Sequence, residues 1–480
     1  MPLRLYDTLT RSLADFRPLK EGKAGLYVCG PTVYDQAHVG HARAAVAFDL
    51  LVRHLRASGL EVDYVRNFTD IDDKIIARAK ERGIGWKELA DLQIRDFEES
   101  MGALGCMPPT HAPRATDYIE GMLEDVSAMV AGGHAYAVDG DVFFDVGSLP
   151  SYGRLSRRDP KDSEPGARVG VDERKKNPAD FALWKAAKPG EPSWPSPWGP
   201  GRPGWHTECS TMSARLLGPA FDIHGGGQDL VFPHHENELA QGEALGRPMA
   251  SIWMHNGFVN VNNEKMSKSL GNSLNVRDII ASSPAEALRF FLLSSHYRGP
   301  LDYSGEALEE AGRALSRLYR AMAEALSFLG GDALASSLGD APYRYPADGG
   351  PGPFVAGFRD AMDDDLNTSK ALGQLFDAAR LLNRKVSEGS KGEALGLAGA
   401  LCSMGGVLGL SLCDPKAFFD GVSRTKKPGL DEAAIEGLIR GREEARKRKD
   451  WKEADRIRAL LADSGVLLED RGGRTTWRLA

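Results

Sequence analysis

The chain has 480 residues and a formal net charge of −7, with 42% hydrophobic and 26% charged residues. It is too long for one compact core, so we expect about two to four domains. Its composition is that of a globular protein, and no apolar run reaches the ~18 residues of a membrane span. Charged residues interrupt the N-terminal stretch at Arg4, Asp7, Arg11 and Asp15, which argues against a signal peptide and predicts a cytoplasmic protein.

The cysteine content also indicates a reducing compartment. There are five cysteines, an odd number spread widely along the chain: Cys29, Cys106, Cys209, Cys402 and Cys413. This pattern does not suit a disulfide framework.

The N-terminal half alternates between strand and helix patterns. Gly25 to Val28 predicts a strand, Ala42 to Ser58 an amphipathic helix stopped by Gly59, and Val62 to Phe68 a second strand. This order predicts the start of a parallel α/β sheet. Further on, Tyr136 to Val146 predicts a hairpin, and the Pro- and Trp-rich stretch from 151 to 205 an insertion packed on the main domain.

The C-terminal half is predominantly helical by pattern. We predict a helix over Gly305 to Leu329, continuous helix over Phe354 to Leu410, and two charged helices over Asp431 to Lys449 and Trp451 to Asp463. Two connectors separate them, Gly330 to Pro353 and Asp414 to Leu430, and a small hairpin over Val466 to Asp470 and Thr475 to Leu479 ends the chain.

Charge is unevenly distributed between the body and this tail. Residues 421–480 hold 15 Lys and Arg against 11 Asp and Glu, a local charge of +4 on an acidic chain. The tail can therefore bind an anionic partner, although charge alone equally fits a solvated helix.

The sequence His38-Val39-Gly40-His41 follows the first strand and opens a helix. A helix N-terminus offers free N–H groups to phosphate, Gly40 allows close approach, and the two imidazoles can donate to phosphate oxygens. Alone, the tetrapeptide also fits a chance match or a core histidine.

A second motif, Lys265-Met266-Ser267-Lys268-Ser269, lies in a predicted polar loop. Its lysines can reach phosphates as mobile charges, although an ordinary surface loop would look similar. Together the two motifs resemble the signatures of class I aminoacyl-tRNA synthetases. The resemblance implies a Rossmann-type catalytic domain, in which His38 and His41 contact the ATP phosphates. Lys268, supported by Lys265, would stabilise charge on the α-phosphate and the leaving pyrophosphate.

A third motif spans Asp222 to Asp229 and contains Gly225-Gly226-Gly227. Bare backbone at Gly226 would let a base or ribose lie close, and Asp229 can accept from ribose hydroxyls. A glycine-rich turn after a strand fits this pattern equally well.

Four residues form a candidate metal site. His234 and Glu238 are one helical turn apart, while Cys29 ends the first strand and Cys209 lies in the second half of the predicted sheet. If the sheet brings them to one crevice, they supply a tetrahedral zinc site with two sulfurs, one nitrogen and one oxygen. His235 with Glu238 is a competing pair, and both cysteines could instead be inert buried thiols.

Longer stretches are similar to cysteinyl-tRNA synthetases of the bacterial type across essentially the whole chain. They are Cys29 to Asp35, Arg66 to Lys74, Gly201 to Ser210 and Phe232 to Glu238. Departures are small: Val39 where Ile is usual in the motif, and Phe68 where the family has an aliphatic residue.

The resemblance implies that one zinc ion per chain binds the thiolate of the substrate cysteine, which rejects serine without an editing domain. Gly30, Thr69 and Trp205 should line the cysteine pocket, although Trp205 can equally be a structural aromatic. ATP with Mg²⁺, L-cysteine and tRNA(Cys) are the implied partners, and the expected state is a monomer.

The implied domain organisation is an α/β catalytic domain with an insertion, an α-helical bundle and a small α+β C-terminal domain. Its parts are the catalytic domain at 1–118 and 205–270, an inserted connective region at 119–204, a stem-contact helical region at 271–329, the bundle at 354–413 and an anticodon-recognition domain at 425–480. In the last, Trp451 or Trp477 could stack on bases, and Arg456, Arg458, Arg474 or Arg478 could contact bases or phosphates. Trp477 can equally fill a small core.

Three other functions fit parts of the pattern. A cysteine:amino-sugar ligase would share the zinc site and both ATP motifs, but gives no reason for an anticodon-like tail. A non-catalytic tRNA-binding paralogue predicts damaged motifs, and both motifs are intact. A protein with a purely structural zinc leaves the ATP motifs unexplained.

Overall fold

The structure is a computed structural model that describes residues 2–158, 173–261, 264–265, 274–330, 345, 353–425, 432–448, 450–463, 466–471 and 474–479. The helices and strands up to residue 329 are, in chain order, β1 (Arg4–Asp7), β2 (Ser12–Asp15), β3 (Lys23–Val28), α1 (Val39–Ala57), β4 (Glu61–Arg66), α2 (Asp73–Arg82), α3 (Trp86–Ala103), α4 (Ile119–Ala131), β5 (Ala135–Val138), β6 (Asp141–Phe144), β7 (Phe181–Ala186), β8 (Gly201–Pro203), α5 (Trp205–Leu217), β9 (Ala220–Gly227), α6 (Glu236–Ala244), β10 (Met249–Asn256), β11 (Val259–Val261), β12 (Glu264–Lys265), α7 (Val276–Ser282), α8 (Ala285–Leu293), β13 (Leu301–Tyr303) and α9 (Gly305–Leu329). The later elements are α10 (Pro353–Asp363), α11 (Thr368–Ser387), α12 (Lys391–Leu408), α13 (Pro415–Thr425), α14 (Glu432–Lys447), α15 (Trp451–Asp463), β14 (Val466–Arg471) and β15 (Arg474–Leu479).

A four-stranded parallel sheet with the order β10-β9-β3-β4 forms the centre of the N-terminal part. The parallel α/β sheet predicted from the sequence is therefore confirmed. Strand β3 pairs with β4 on one side and with β9 on the other, so the connections diverge in opposite directions from this point. Ligands of open parallel sheets bind in the crevice that such a switch creates at the carboxyl ends of the strands.

Helix α1 lies between this sheet and the helices of the C-terminal part. Nearly all of its 19 residues are buried, because apolar side chains such as Val46, Leu50, Leu51 and Leu55 contact neighbours on more than one side. This burial holds the N-terminus of α1, which carries the first motif, at a defined place beside the sheet.

The predicted insertion contains a second sheet. Strands β5, β6, β7 and β8 pair in that order and antiparallel, and the β5–β6 hairpin turns at Asp139 and Gly140, which both have positive φ. Helix α4 packs on this sheet through a shared apolar cluster that includes Val126, Phe144 and Trp184.

Helices α9 to α13 form the C-terminal helical part. The predicted helix over Gly305 to Leu329 is confirmed, and the predicted helical stretch after it consists of α10, α11 and α12. The predicted connector over Asp414 to Leu430 is wrong in its first half, because α13 begins there. Asp414 caps that helix by accepting from Ala417 N–H, and Phe418 stacks on Tyr319 at 4.0 Å between ring centroids.

The end of the chain folds around a small core of its own. Helices α14 and α15 pack with β14 through five buried apolar side chains: Ile435, Ile439, Ile457, Leu461 and Val466. The two charged helices and the terminal hairpin predicted from the sequence are confirmed. The linker predicted over Gly330 to Pro353 lies almost wholly outside the described residues. Among the described helices, none combines the length and apolar character needed to cross a membrane.

Candidate active site and metal centre

The first motif forms the N-terminus of α1, at the carboxyl end of β3. His38 is the N-cap residue, and its Nδ1 accepts the His41 N–H at 3.3 Å, while the His38 N–H donates to His41 Nδ1 at 3.3 Å. The two rings stack with centroids 3.7 Å apart. Because both Nδ1 atoms accept backbone N–H groups, a neutral ring at either position carries its proton on Nε2 and can donate from that atom.

The chain that follows the second motif pairs with the same turn. Val39 N–H donates to Leu274 at 2.9 Å and Val276 N–H to Ala37 at 2.9 Å, while His38 forms a β-bridge with Asn275. The structure thus holds the segment Leu274 to Val276, which follows the second motif in the sequence, against the first motif.

Of the two motif lysines, only Lys265 belongs to a described segment. Its backbone forms part of β12, which pairs antiparallel with β11, so the predicted polar loop begins after a short hairpin strand. Lys268 lies outside the described residues.

The glycine-rich motif belongs to strand β9 itself rather than to a turn. A side chain at Gly225 would meet the Phe48 ring, with an added Cβ only 2.3 Å from the nearest ring atom. A Cβ at Gly226 would lie 2.9 Å from His235. Close packing therefore explains both glycines without a ligand. Asp229 is exposed just beyond the carboxyl end of β9, where a nucleotide at the switch crevice would be within reach.

The four predicted metal ligands meet beneath this crevice. The ligand atoms of Cys29, Cys209, His234 and Glu238 all lie within 4.8 Å of one another, and all four are enclosed by protein. Glu238 Oε1 is 3.3 Å from Cys29 Sγ and 3.1 Å from His234 Nε2. A tetrahedral zinc ion with bonds of ~2.0–2.3 Å separates its ligand atoms by roughly 3.3–3.8 Å, so the arrangement fits zinc.

The elements that position these ligands differ partly from the prediction. Cys29 follows β3, and its N–H donates to Gly225 of β9 at 3.0 Å. Cys209 lies on helix α5, not in the sheet, because the chain turns into a helix directly after Gly204. His234 belongs to the short segment Val231–His235, whose backbone is extended at Phe232 and which leads into α6, the helix of Glu238.

Burial sets the protonation of the cluster without a metal. It raises the pKa of the Cys29 and Cys209 thiols, and it lowers the pKa of His234 to about 3, so this imidazole is neutral and its lone pair is available. Burial would also raise the pKa of the Glu238 carboxyl, but His224 and His234 hold it below its usual value. A zinc ion would bind the two sulfurs as thiolates and release their protons.

Three buried polar atoms near the same cluster have no hydrogen-bond partner among the described residues: Asn67 Nδ2, His224 Nδ1 and His235 Nε2. Buried polar groups are rarely left unpaired, which is consistent with a polar or charged ligand at this cluster.

A second ligand set overlaps the first and was not predicted. Cys29, His224, His235 and Glu238 also lie within 4.8 Å of one another. His224 Nε2 is 3.4 Å from Cys29 Sγ and 3.3 Å from Glu238 Oε2, while His235 Nε2 is 3.9 Å from Glu238. His235 was considered as a competing ligand, whereas His224 was missed. Its place in the middle of β9, pointing to the same face as the end of β3, was the available signal.

The backbone around Gly30 is tightly packed against the next strand end. Gly30 N–H donates to Asn67 Oδ1 at 2.8 Å, and a Cβ at this position would lie 1.7 Å from the Asn67 carbonyl oxygen, so only glycine fits. The backbone of Thr69 pairs with Pro31 and Val33, just after Gly30, and the Thr69 hydroxyl donates to Glu208 at 2.6 Å. Thr69 is buried in this arrangement.

Trp205 begins helix α5 and stacks on His234, with ring centroids 4.1 Å apart and an interplanar angle of 20°. The indole is partly exposed, and one of its faces lies against the imidazole of His234, a candidate metal ligand. Both alternatives from the sequence, a structural aromatic and a pocket wall, are compatible with this position.

Three parts of the chain match known protein families. Residues 15–313 match the family described as tRNA synthetases class I (C) catalytic domain, 357–412 the DALR domain, and 427–478 the cysteinyl-tRNA ligase anticodon binding domain. The chain is 49% identical over 485 residues to a cysteine–tRNA ligase of Geobacter sulfurreducens, covering 100% of both chains. It is 53% identical to that of Thioalkalivibrio sulfidiphilus, covering 99% of each.

A solved structure shares the fold. The Mycobacterium tuberculosis methionyl-tRNA synthetase, in complex with methionyl-adenylate, aligns with a TM-score of 0.56 at 17% identity, over 86% of this chain and 94% of that chain. The predicted fold class, an α/β catalytic domain with C-terminal helical and anticodon domains, is confirmed by these matches. The chain belongs to the cysteine–tRNA ligase family of class I aminoacyl-tRNA synthetases.

Proposed function

We propose that this protein is a cysteine–tRNA ligase that activates L-cysteine with ATP and transfers it to the 3′ end of tRNA(Cys). In the first step a carboxylate oxygen of cysteine attacks the α-phosphorus of ATP, and the bond to the leaving pyrophosphate breaks. The observation that carries the proposal is the buried cluster of two sulfurs, one imidazole and one carboxylate where the chain leaves the carboxyl end of β3.

We assign Cys29, Cys209, His234 and Glu238 as the ligands of one zinc ion. Two sulfurs among four donors suit zinc, and the first set contains both cysteines, whereas the second contains one. When bound there, zinc supplies a soft Lewis acid that takes up a thiolate in preference to a hydroxyl. Cysteine is thereby distinguished from serine, which differs from it only by oxygen in place of sulfur.

Gly30, Thr69 and Trp205 are proposed to surround the substrate cysteine. The Thr69 hydroxyl hydrogen is engaged by Glu208, so the oxygen of Thr69 is left to accept, which suits contact with the α-ammonium group of an amino acid. Trp205 lies against His234, and the exposed face of its indole would lie beside the side chain of the substrate cysteine.

The nucleotide is proposed to lie across the crevice between β3 and β9. His38 and His41 would donate from Nε2 to phosphate oxygens, and Gly40 between them would let the backbone approach the phosphates closely. Asp229, at the end of β9, would accept from ribose hydroxyls, with the backbone of Gly226 beneath. Lys268 and Lys265 would neutralise charge that develops on the α-phosphate and pyrophosphate, and Mg²⁺ would accompany ATP.

The C-terminal tail is proposed to read the anticodon. Trp451 is 60% exposed at the start of α15, whereas Trp477 packs against the small core of the tail, so Trp451 is the better stacking residue. Arg456 and Arg458 are exposed on the same helix, and Arg456 forms an ion pair with Glu453. We further propose that the enzyme is a cytoplasmic monomer.

The family also makes a cysteine:amino-sugar ligase worth testing, since that enzyme would use the same zinc and ATP chemistry. The tail domain at 427–478 argues against it, because a small acceptor needs no anticodon contact.

Aminoacylation distinguishes these functions directly. The protein is incubated with ATP, magnesium, labelled cysteine and bulk tRNA, and label attached to RNA is counted. ATP-dependent label on tRNA supports the ligase. Cysteine-dependent pyrophosphate exchange without label on tRNA would instead favour a small-molecule acceptor, and neither signal would point to a non-catalytic paralogue.

A further inference from the structure

We infer that Asp96 of helix α3 is a positioning residue for cysteine activation, which holds the turn before the first nucleotide motif against the chain segment that follows the second. The inference rests on the proposed function, because it assigns a role in the same reaction to a residue outside both motifs.

Asp96 contacts the chain immediately before the first motif. Its Oδ2 accepts the Ala37 N–H at 3.1 Å, one residue before the N-cap of α1. Asp96 is only 7% exposed, so this acceptor is held in a protein environment where a charged hydrogen bond is strong. Movement of Asp96 would therefore move the start of α1.

The same carboxylate contacts the chain that follows the second motif. Asp96 Oδ1 is 2.8 Å from Nε of Arg277, a residue of α7 just after the segment that pairs with Ala37 and Val39. One carboxylate thus bridges the turn before the first motif and the helix that follows the second, with one oxygen on each.

Helix α3 supports the first motif through a second side chain. Phe97 packs edge-on against His41, with ring centroids 6.1 Å apart and an interplanar angle of 69°. Phe97 also receives the guanidinium of Arg66 over its ring at 4.9 Å. Neighbouring residues of α3 therefore orient both the backbone before His38 and the ring of His41, which limits how the phosphate donors can shift.

The two contacts of Asp96 are with the chain beside the nucleotide motifs, so its effect should be confined to the nucleotide half of the reaction. Displacement of reacting groups by ~1 Å can reduce a rate on the order of 100-fold. We expect Asp96→Asn, which keeps the shape and one acceptor but removes the charge, to reduce kcat for cysteine-dependent pyrophosphate exchange at least about tenfold. The KM for cysteine and the zinc content should remain unchanged.

Two further variants separate positioning from loss of structure. Glu99→Gln is the matched control, because Glu99 is exposed and also pairs with Arg277 but does not contact the first motif. It should keep the parent rate. Arg277→Gln alters a half-exposed side chain, and it should lower kcat similarly. The double variant Asp96→Asn with Arg277→Gln should be no slower than the slower single variant, because each substitution removes the same Asp96–Arg277 ion pair.

The outcomes are distinct. A parent enzyme with cysteine-dependent exchange, slow Asp96→Asn and Arg277→Gln variants with unchanged cysteine KM, and an unaffected Glu99→Gln support the role. Full kcat in Asp96→Asn, or multiplicative losses in the double variant, would overturn it while leaving the ligase intact. A parent without cysteine-dependent exchange would overturn the proposed function and this role with it.

Discussion

His234 and Glu238 lie one helical turn apart, and Nε2 of His234 is 3.1 Å from Oε1 of Glu238. The spacing alone placed both side chains on one face, and the structure shows what that face meets. Cys29 arrives from the end of β3 and Cys209 from the first turns of α5. Three separate chain segments therefore converge on a point that no single segment defines.

This convergence predicts the behaviour of Cys209→Ser. Loss of an outer partner of a metal ligand costs about 10–100-fold in affinity, so loss of a ligand sulfur should weaken zinc binding by at least about 100-fold. Zinc per chain, measured after dialysis against a chelator, should fall from one towards zero. The preference for cysteine over serine in pyrophosphate exchange should fall with it.

Cys402→Ser is the control for this experiment. Cys402 is also a buried thiol, but it lies on α12 among the C-terminal helices. It should keep both the zinc and the selectivity. If Cys209→Ser retained one zinc and full selectivity, the assignment of Cys209 as a ligand would be wrong.

A second prediction concerns Lys268, which the sequence motif assigns to the transition state. Removing one preorganised donor to a developing negative charge typically costs about 10²–10³ in kcat. Lys268→Ala should therefore lower the rate of cysteinyl-adenylate formation by that order, with little change in the KM for ATP or cysteine, as measured by single-turnover kinetics. Lys370→Ala, at an exposed ion pair on α11, should leave the rate unchanged. A large rise in the KM for ATP at constant kcat would show that Lys268 acts in binding instead.

Local patterns were sufficient for most of the elements. The motif at His38 is predicted to open a helix, and α1 does begin there. The prediction succeeds because the spacing of apolar residues that indicates a helix is a local property of the sequence. The error over Asp414 to Leu430 has a tertiary cause. Helix α13 is stabilised by Phe418 stacking on Tyr319, a contact with a residue far earlier in the chain.

The candidate site shows the same division. The four candidate ligands are predicted as a set, but the proximity of His224 is not, since the sequence around it suggests a nucleotide contact or a glycine-rich turn. Its meaning appears only when β9 pairs with β3 and brings His224 to within 3.4 Å of Cys29 Sγ. The bridge formed by Asp96 likewise depends on where α3 packs, which periodicity does not specify.

A third prediction compares the two tryptophans of the tail. Trp451→Ala should leave pyrophosphate exchange and thermal stability unchanged but raise the KM for tRNA, because stacking on a base is worth roughly 1–3 kcal/mol. Trp477→Ala should instead lower the stability of the tail, since Trp477 packs on its small core. Aminoacylation kinetics and thermal unfolding of both variants would check this. The reverse pattern would assign the stacking to Trp477.

A buried network links the catalytic part to the helical bundle. Asp49 of α1 pairs with Arg53 at 2.8 Å and with Arg289 of α8, and Arg289 Nε donates to the Leu408 carbonyl of α12 at 2.7 Å. Both guanidinium groups are enclosed, and both pair with this carboxylate. Burial by itself would raise the pKa of the Asp49 carboxyl, but Arg289 and Arg53 hold it below its usual value.

The fourth prediction follows from this network. Asp49→Asn keeps the shape but removes the negative charge that pairs with two buried cations, which should cost about 3–5 kcal/mol in unfolding free energy at pH 7. Glu309→Gln, at an exposed pair with Arg313, should cost about 0–1 kcal/mol. Because the folded pKa of Asp49 is lowered, its contribution is present above the ordinary value of ~3.9 and is lost as the pH falls through the folded pKa. Denaturant unfolding should therefore show a constant difference between parent and Asp49→Asn from about pH 5 to 8, and a shrinking one in stronger acid. A difference independent of pH down to the acid transition would mean that Asp49 stabilises the fold by shape and hydrogen bonding rather than by charge.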